Sequence, residues 1–242
     1  MVRGFYQLGS GLLAQNKVLN AIGNNISNAK TGGFKKQEVI TSTFENMMVN
    51  RVDGQKTEIG GMSMARIVGD TATIHTQGTM ETTGRSLDFA IEGEGFFAMQ
   101  GQNGTVYTRK GDFNVDAQGY LIHNNGGRVL GTNGPIMVGT DNFTADSGGN
   151  IYVGGNYRGT LAVYNFEDYN SLQEAGGGFY TGNGANITFG STVRWQTLEG
   201  SNVNVAEEMT DAIATQRGLQ SCSQVLKMYD QVLSKTNEIG RI

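Results

Sequence analysis

Glycine is spread unevenly along this chain, and the unevenness limits what each part can fold into. Of 37 glycines, 23 fall within residues 87–200, whereas between Asn202 and Glu238 Gly218 stands alone. Glycine weakens a helix by roughly 0.5–1 kcal/mol per residue, so the middle of the chain is a poor place for helices. Its glycines also come in turn-forming pairs: Asn103-Gly104, Asn125-Gly126, Asn133-Gly134 and Asn183-Gly184. Asn-Gly supplies the positive φ angles of two-residue hairpin turns, and the runs between ("TVYTR", "GYLIH", "GTLAVYNF") carry β-branched and aromatic residues. The pattern predicts an antiparallel, all-β domain over residues 87–194.

Past Asn202 the apolar period lengthens from two to about three and a half. Val205, Met209, Ile213, Leu219, Leu226 and Leu233 mark one face of a long helix, with Val225, Tyr229 and Val232 beside it. The helix is expected to begin near Ser201-Asn202, with Glu207 and Glu208 as acidic residues in its first turns. The other end of the chain carries a similar seam, Phe5, Leu8, Leu12, Leu19, Ile22 and Ile26, spaced by three and four except where Gln15 intervenes. Beside it Asn16, Asn20, Asn24 and Asn28 lie four apart. Each step of four advances about 400° around a helix, so the amides form one slowly winding stripe. Asn is a poor helix former. Either these amides are solvated on an ordinary amphipathic helix, or the helix is touched on more than one side.

The expected fold is therefore mainly β with α. N- and C-terminal helices (1–31 and 202–242), paired like a coiled coil, flank the Gly-rich antiparallel domain (87–194). Residues 32–86 and 195–201 form an extended or β connecting region. Net charge is −4 and the pI is near 5.2, which provides no basic surface for phosphate; nucleic acid is not an expected partner. The start "MVRGFYQLGSGLLAQNK" lacks the sustained apolar core of a secretory signal, and no stretch is long enough to span a membrane. The chain is thus expected in the cytoplasm, or exported by a route that cleaves no signal. Cys222 stands alone, so no intramolecular disulfide or cysteine-rich metal site is expected.

Several stretches hint at chemistry and fall short of it. "DFNVDAQGYLIH" (112–123) places Asp112, Asn114 and Asp116 like a calcium loop, but the glycine comes two positions late and His123 stands where a bidentate Glu is needed; a β-hairpin is expected instead. "GGGFYTGNG" lacks the spacing and context of a nucleotide loop. His75 and His123 have no neighbouring carboxylate in sequence. Glu92 and Glu94 in "IEGEGFF" could flank a sugar bond, but the surrounding glycines read as a tight turn before buried Phe96 and Phe97. No catalytic, cofactor-binding or metal residue is expected.

Four segments, "NNISNAKTGGFKK", "LDFAIEGEGFFAM", "YTRKGDFNVDAQGYLI" and "LEGSNVNVAEEMTDAIATQRGLQ", occur in this order and together span both ends and the middle. In them the chain resembles the bacterial flagellar basal-body rod proteins of the rod and hook axial family. The resemblance implies a structural subunit in the flagellar basal body. It would be exported through the flagellar export apparatus and assembled helically with copies of itself and other rod and hook proteins, into the drive shaft between motor and hook. It also implies an assembly interface of the two seams and the amide stripe, with Tyr229, Asn202 and the Gly33, Phe34 and Lys35 of "TGGFKK". Leu12, Leu19 and Ile22 would pair with the chain's own C-terminal helix. Two other classes stay open: a secreted β-rich binding module, and a cell-wall hydrolase associated with flagella.

Overall fold

A computed structural model describes residues 2–43, 47–53, 55–62, 66–101, 104–125, 127–187 and 191–240, which fall into two compact units.

The first unit comprises residues 1–27, 37–74 and 204–242. Helix α1 spans Val2–Ser27, four residues short of the expected end. Four strands follow: β1 (Gln37–Thr43), β2 (Met47–Asp53), β3 (Gln55–Met62) and β4 (Arg66–Thr73). Antiparallel β1 and β4 form one pair, with a bulge between Val39 and Thr41, and antiparallel β2 and β3 form another. Helix α2 spans Val205–Ile239 and starts later than expected, because Asn204 is its cap: the side-chain oxygen accepts from the Ala206 amide at 3.1 Å. The Asn202 amide is bound instead to Thr76 and the Lys36 backbone.

The two helices lie side by side and antiparallel. A Cβ at Gly4 would sit 2.7 Å from the Tyr229 hydroxyl, one at Gly218 would meet Gln15 at 3.6 Å, and Asn25 bonds Glu208 at 3.1 Å. As α1 advances through 4, 15 and 25, α2 recedes through 229, 218 and 208. Helix α1 also packs on β1 and β4, where the Lys17 ammonium donates to the Gly69 carbonyl at 2.9 Å. The helix carrying the amide stripe is thus contacted on two sides within its own unit.

The second unit comprises residues 28–36 and 75–203. Its strands in chain order are β5 (Met80–Thr82), β6 (Phe89–Glu92), β7 (Phe96–Gly101), β8 (Gly104–Thr108), β9 (Asn114–Val115), β10 (Leu121–His123) and β11 (Gly127–Gly131). These are followed by β12 (Gly134–Pro135), β13 (Thr144–Ala145), β14 (Asn150–Val153), β15 (Asn156–Thr160), β16 (Val163–Asn165), β17 (Gln173–Gly176) and β18 (Phe179–Thr181). Last come β19 (Asn186–Ile187), β20 (Thr192–Trp195) and β21 (Thr197–Glu199). All of the strand pairs described are antiparallel. The largest sheet runs β17-β18-β8-β7-β11-β10-β9, with β12, β16 and β19 attached.

Phe89, Phe97, Met99, Phe113, Leu121, Val129 and Ile151 are fully buried in this unit's main core. Each such side chain contributes about 1.5–3 kcal/mol on burial. Among the expected turns, Asn133-Gly134 joins β11 to β12 with Gly134 at φ 113°, and Asn183-Gly184 lies between β18 and β19 with Gly184 at φ 83°. Asn103 and Gly126 lie outside the described residues. The compact unit begins at His75, not at residue 87, and takes in residues 28–36 and 195–203, because β5 pairs with β21 and Glu199 is buried there.

Candidate assembly interface

Facing positions on α2 follow a strict alternation of four and three: Glu208, Ala212, Thr215, Leu219, Cys222, Leu226 and Tyr229 are all buried or half-buried. This seam is mostly small or polar. Of the expected apolar face, Leu219 and Leu226 lie on it, joined by Tyr229 from the positions beside that face, while Val205, Met209 and Ile213 sit one position further round and point outward, with Ile213 55% exposed. The cause is the helix junction. Asn25 and Glu208 are each about 1% exposed. The Asn25 amide nitrogen donates to Glu208 Oε2 at 3.1 Å and to the Gln37 carbonyl at 2.9 Å, and its oxygen accepts from the Gln37 amide at 2.9 Å. Holding Glu208 inward fixes the rotation of α2 and turns its bulkier neighbours out. Leu233 is also exposed, and from Asp230 to Ile239 the whole end of α2 is exposed, with Ile239 72% open.

On α1, Ile22 is buried and Leu8, Leu12, Leu19 and Ile26 are half-buried, while Phe5 is exposed. Tyr6 and Leu13, outside the expected seam, are more exposed still, Leu13 at 67%. Asn16 and Asn20 are exposed on the surface. Asn24, also exposed, donates to the Gln37 side chain at 2.9 Å, and half-buried Asn28 accepts from the Thr31 hydroxyl at 3.3 Å. The one buried amide of this run, Asn25, falls outside the four-residue ladder.

Gly33, Phe34 and Lys35 do not reach the surface; they are buried in the second unit. The Lys35 ammonium meets Glu199 Oε1 at 2.6 Å and the Thr76 carbonyl at 2.7 Å, and Arg109 meets Glu199 Oε2 at 3.3 Å. Burial pulls the lysine below its ordinary pKa, against the opposing attraction of Glu199. Gly33 takes φ 65°, and a Cβ there would stand 2.7 Å from the Arg109 backbone, so this close approach requires glycine. Half-buried Asn202 donates to the Thr76 hydroxyl at 2.9 Å and its carbonyl at 3.2 Å, and accepts from the Lys36 amide at 2.7 Å.

The structure also finds partners that sequence proximity hides. His123 Nε2 lies 3.3 Å from Asp112, and its Nδ1 accepts from the Asn125 amide, which places the ring proton on Nε2. Glu92 is paired with Arg194 at 2.7 Å, and Glu94 accepts from Asn165 at 3.3 Å. In the 112–123 segment Asp116 accepts from the Gln118 and Tyr120 amides, closing the β9-β10 hairpin. No described helix is long and apolar enough to cross a membrane.

Comparison with known proteins identifies the family. Residues 5–35 match the family described as flagella basal body rod protein, residues 90–154 the flagellar hook protein FlgE/F/G D1 domain, and residues 196–239 the flagellar basal body rod FlgEFG protein C-terminal domain. The flagellar basal-body rod protein FlgG of Bacillus subtilis (strain 168) is 33% identical, the alignment covering 100% of each chain. A Buchnera aphidicola FlgG is 32% identical over 95% of this chain and 96% of its own. The rod protein FlgF of Caulobacter vibrioides is 30% identical over 93% of this chain and 92% of its own. The chain therefore belongs to the flagellar basal-body rod proteins and is a structural subunit of the rod in the bacterial flagellar basal body.

Proposed function

We propose that the outward faces of α1 and α2 are the surface through which copies of this chain assemble helically, with other rod and hook proteins as neighbours, into a shaft that carries torque from motor to hook. The observation that carries this is the partial inversion of α2: Glu208 and Thr215 face α1 together with Leu219 and Leu226, while Val205, Met209, Ile213 and Met228 face outward. Covering such a face recovers a part of the roughly 1.5–3 kcal/mol that full burial of a large side chain contributes, since these side chains are about half exposed. Phe5, Leu13, Asn16 and Asn20 supply the corresponding surface on α1, whereas Gly33, Phe34, Lys35 and Asn202 act inside the subunit. Export proceeds through the flagellar export apparatus.

The protein works without catalysis. Supporting this, Glu92 is engaged by Arg194, and the Asp112–His123 pair has no nucleophile bonded to it among the described contacts.

The test is Ile213→Asp in the full chain. It should leave the far-UV spectrum and melting temperature of the dispersed protein unchanged and abolish the tubes or helical polymers that concentrated wild-type protein forms in negative stain. Polymers of wild-type abundance from the variant would overturn the assignment of this face.

A further inference from the structure

The chain passes between the two units at four places, at Ser27–Asn28 and at three others: after Lys36, before His75 and after Val203. The residues beside these three others are bonded to one another inside the second unit. Asn202, on the third crossing, reaches both others: it accepts from the Lys36 amide and donates to the Thr76 carbonyl and hydroxyl. Lys35, on the first, donates to Thr76 on the second and pairs with Glu199 at the base of the third. Glu199 in turn accepts the Gly78 amide at 2.9 Å on Oε1, and its backbone carbonyl accepts the Gly33 amide at 2.7 Å. The backbones themselves touch: a Cβ on Gly78 would lie 2.1 Å from the Gly200 carbonyl oxygen, and the Gly200 amide donates to Thr79 at 2.7 Å. Arg109 closes the buried side, bonding Glu199 and the Gly93 carbonyl.

We infer that Asn202, Lys35 and Glu199 form a clasp that makes three of the four crossings open and close as one cooperative stem. Three separate chains would each twist and fray alone; tied at a shared carboxylate and a shared amide, none can loosen without breaking bonds to the other two. In a torque-bearing subunit, which rests on the rod reading above, such a stem shares load across three of the four covalent paths.

The experiment is amide hydrogen exchange on the dispersed full-length chain, so its outcome does not depend on polymer formation. Four amides report the crossings: Gly33 and Lys36, Gly78, and Gly200. Of these four amides Lys36 is the one that donates to Asn202, yet in Asn202→Ala exchange at all four should rise together, by about tenfold or more, while core amides in β7 and β8 keep wild-type rates. Asn202→Asp keeps an acceptor for the Lys36 amide and loses donation to Thr76. The Lys36 amide should still exchange faster in this variant, because its crossing opens with the others. Acceleration confined to Lys36 in the Asn202→Ala variant, or a wild-type rate there in the Asn202→Asp variant, would show three independent strands. Equal acceleration of the β7 and β8 amides would show a general loss of stability and would equally overturn the clasp.

Discussion

Replacing Asn25 tests what holds the helix pair in register. The amide makes three bonds with Gln37 and Glu208, at 2.9, 2.9 and 3.1 Å, in a site about 1% exposed. Asn25→Ala removes a bond from the Gln37 amide, one from its carbonyl, and a donor from a buried carboxylate. A neutral bond contributes about 0.5–1.5 kcal/mol and one to a charged group about 1.5–3, so the loss should be about 3–5 kcal/mol. Glu208→Gln keeps an acceptor for Asn25 and should cost about 1 kcal/mol. Asn25→Asp places a second carboxylate against Glu208 and should be worse than alanine at pH 7, improving on acidification as one of the pair takes a proton. The assay is urea unfolding followed at 222 nm, where the two long helices dominate the signal. Destabilisation should increase in the order Glu208→Gln, Asn25→Ala, Asn25→Asp. If Asn25→Ala stays within about 0.5 kcal/mol of wild type, or if Asn25→Asp is no worse than Asn25→Ala, the junction does not set the pairing.

Two further outcomes follow from other parts of the chain. A Cβ added at Gly9 or Gly23 meets nothing within 4 Å, so Ala at both should stabilise α1 by about 1 kcal/mol each in a thermal melt; if neighbouring copies approach there, sedimentation should show weakened polymerisation, and unchanged polymers would place those positions away from any contact. His75 sits among Phe96, Tyr169 and Tyr180, and burial, reinforced by Lys35 and Arg109, lowers its pKa from 6.5 to about 4. Its neutral form is favoured in the fold, so that stability is complete above pH 6.5 and is lost as pH falls toward 4. The loss is about 1–2 kcal/mol after discounting for the ring's partial exposure. His75→Phe should flatten the melting temperature against pH across that window, and an unchanged slope would refute the assignment.

Legibility in the sequence follows the range of each interaction. The hairpin turns and the helix seams are written in neighbours a few residues apart, and the period of two or three and a half reports them directly. Asn25 escapes because it is one residue past the Asn16-Asn20-Asn24 ladder, about 100° round the helix, and the regular spacing points to the exposed amides instead. A usable signal is present on α2, where Glu208, Ala212, Thr215, Leu219, Cys222, Leu226 and Tyr229 keep an unbroken four-three spacing that a search for large apolar residues passes over. Lys35 and Glu199 are 164 positions apart, and Arg109 and Glu199 are 90 apart; only the folded sheet brings them together, so "TGGFKK" reads as surface when it is interior. Asp112 and His123 meet for a similar reason, across the β9-β10 hairpin.

The inversion of α2 separates two tasks that a single apolar seam would merge. Hydrogen bonds are directional, and a buried Asn–Glu contact is satisfied in one register and one rotation; such polar positions specify alignment at a cost in stability. Apolar contact is non-directional and scales with the area covered, so it supplies strength without dictating register. Here the directional contact lies inside the subunit, between Asn25 and Glu208 and beside Ile22, while further apolar area lies outside, on Met209, Ile213, Met228 and the exposed end of α2. A subunit built this way sets the rotation of its own helices before any neighbour arrives. The face it then offers is defined by that rotation: a turn of α2 by one residue would bury Met209 and expose Glu208. The charge on the outer surface would change with it. On the interface proposed above, alignment within one subunit determines which side chains the next one meets, and loss of the Asn25 contact should disturb assembly even though neither residue touches the surface.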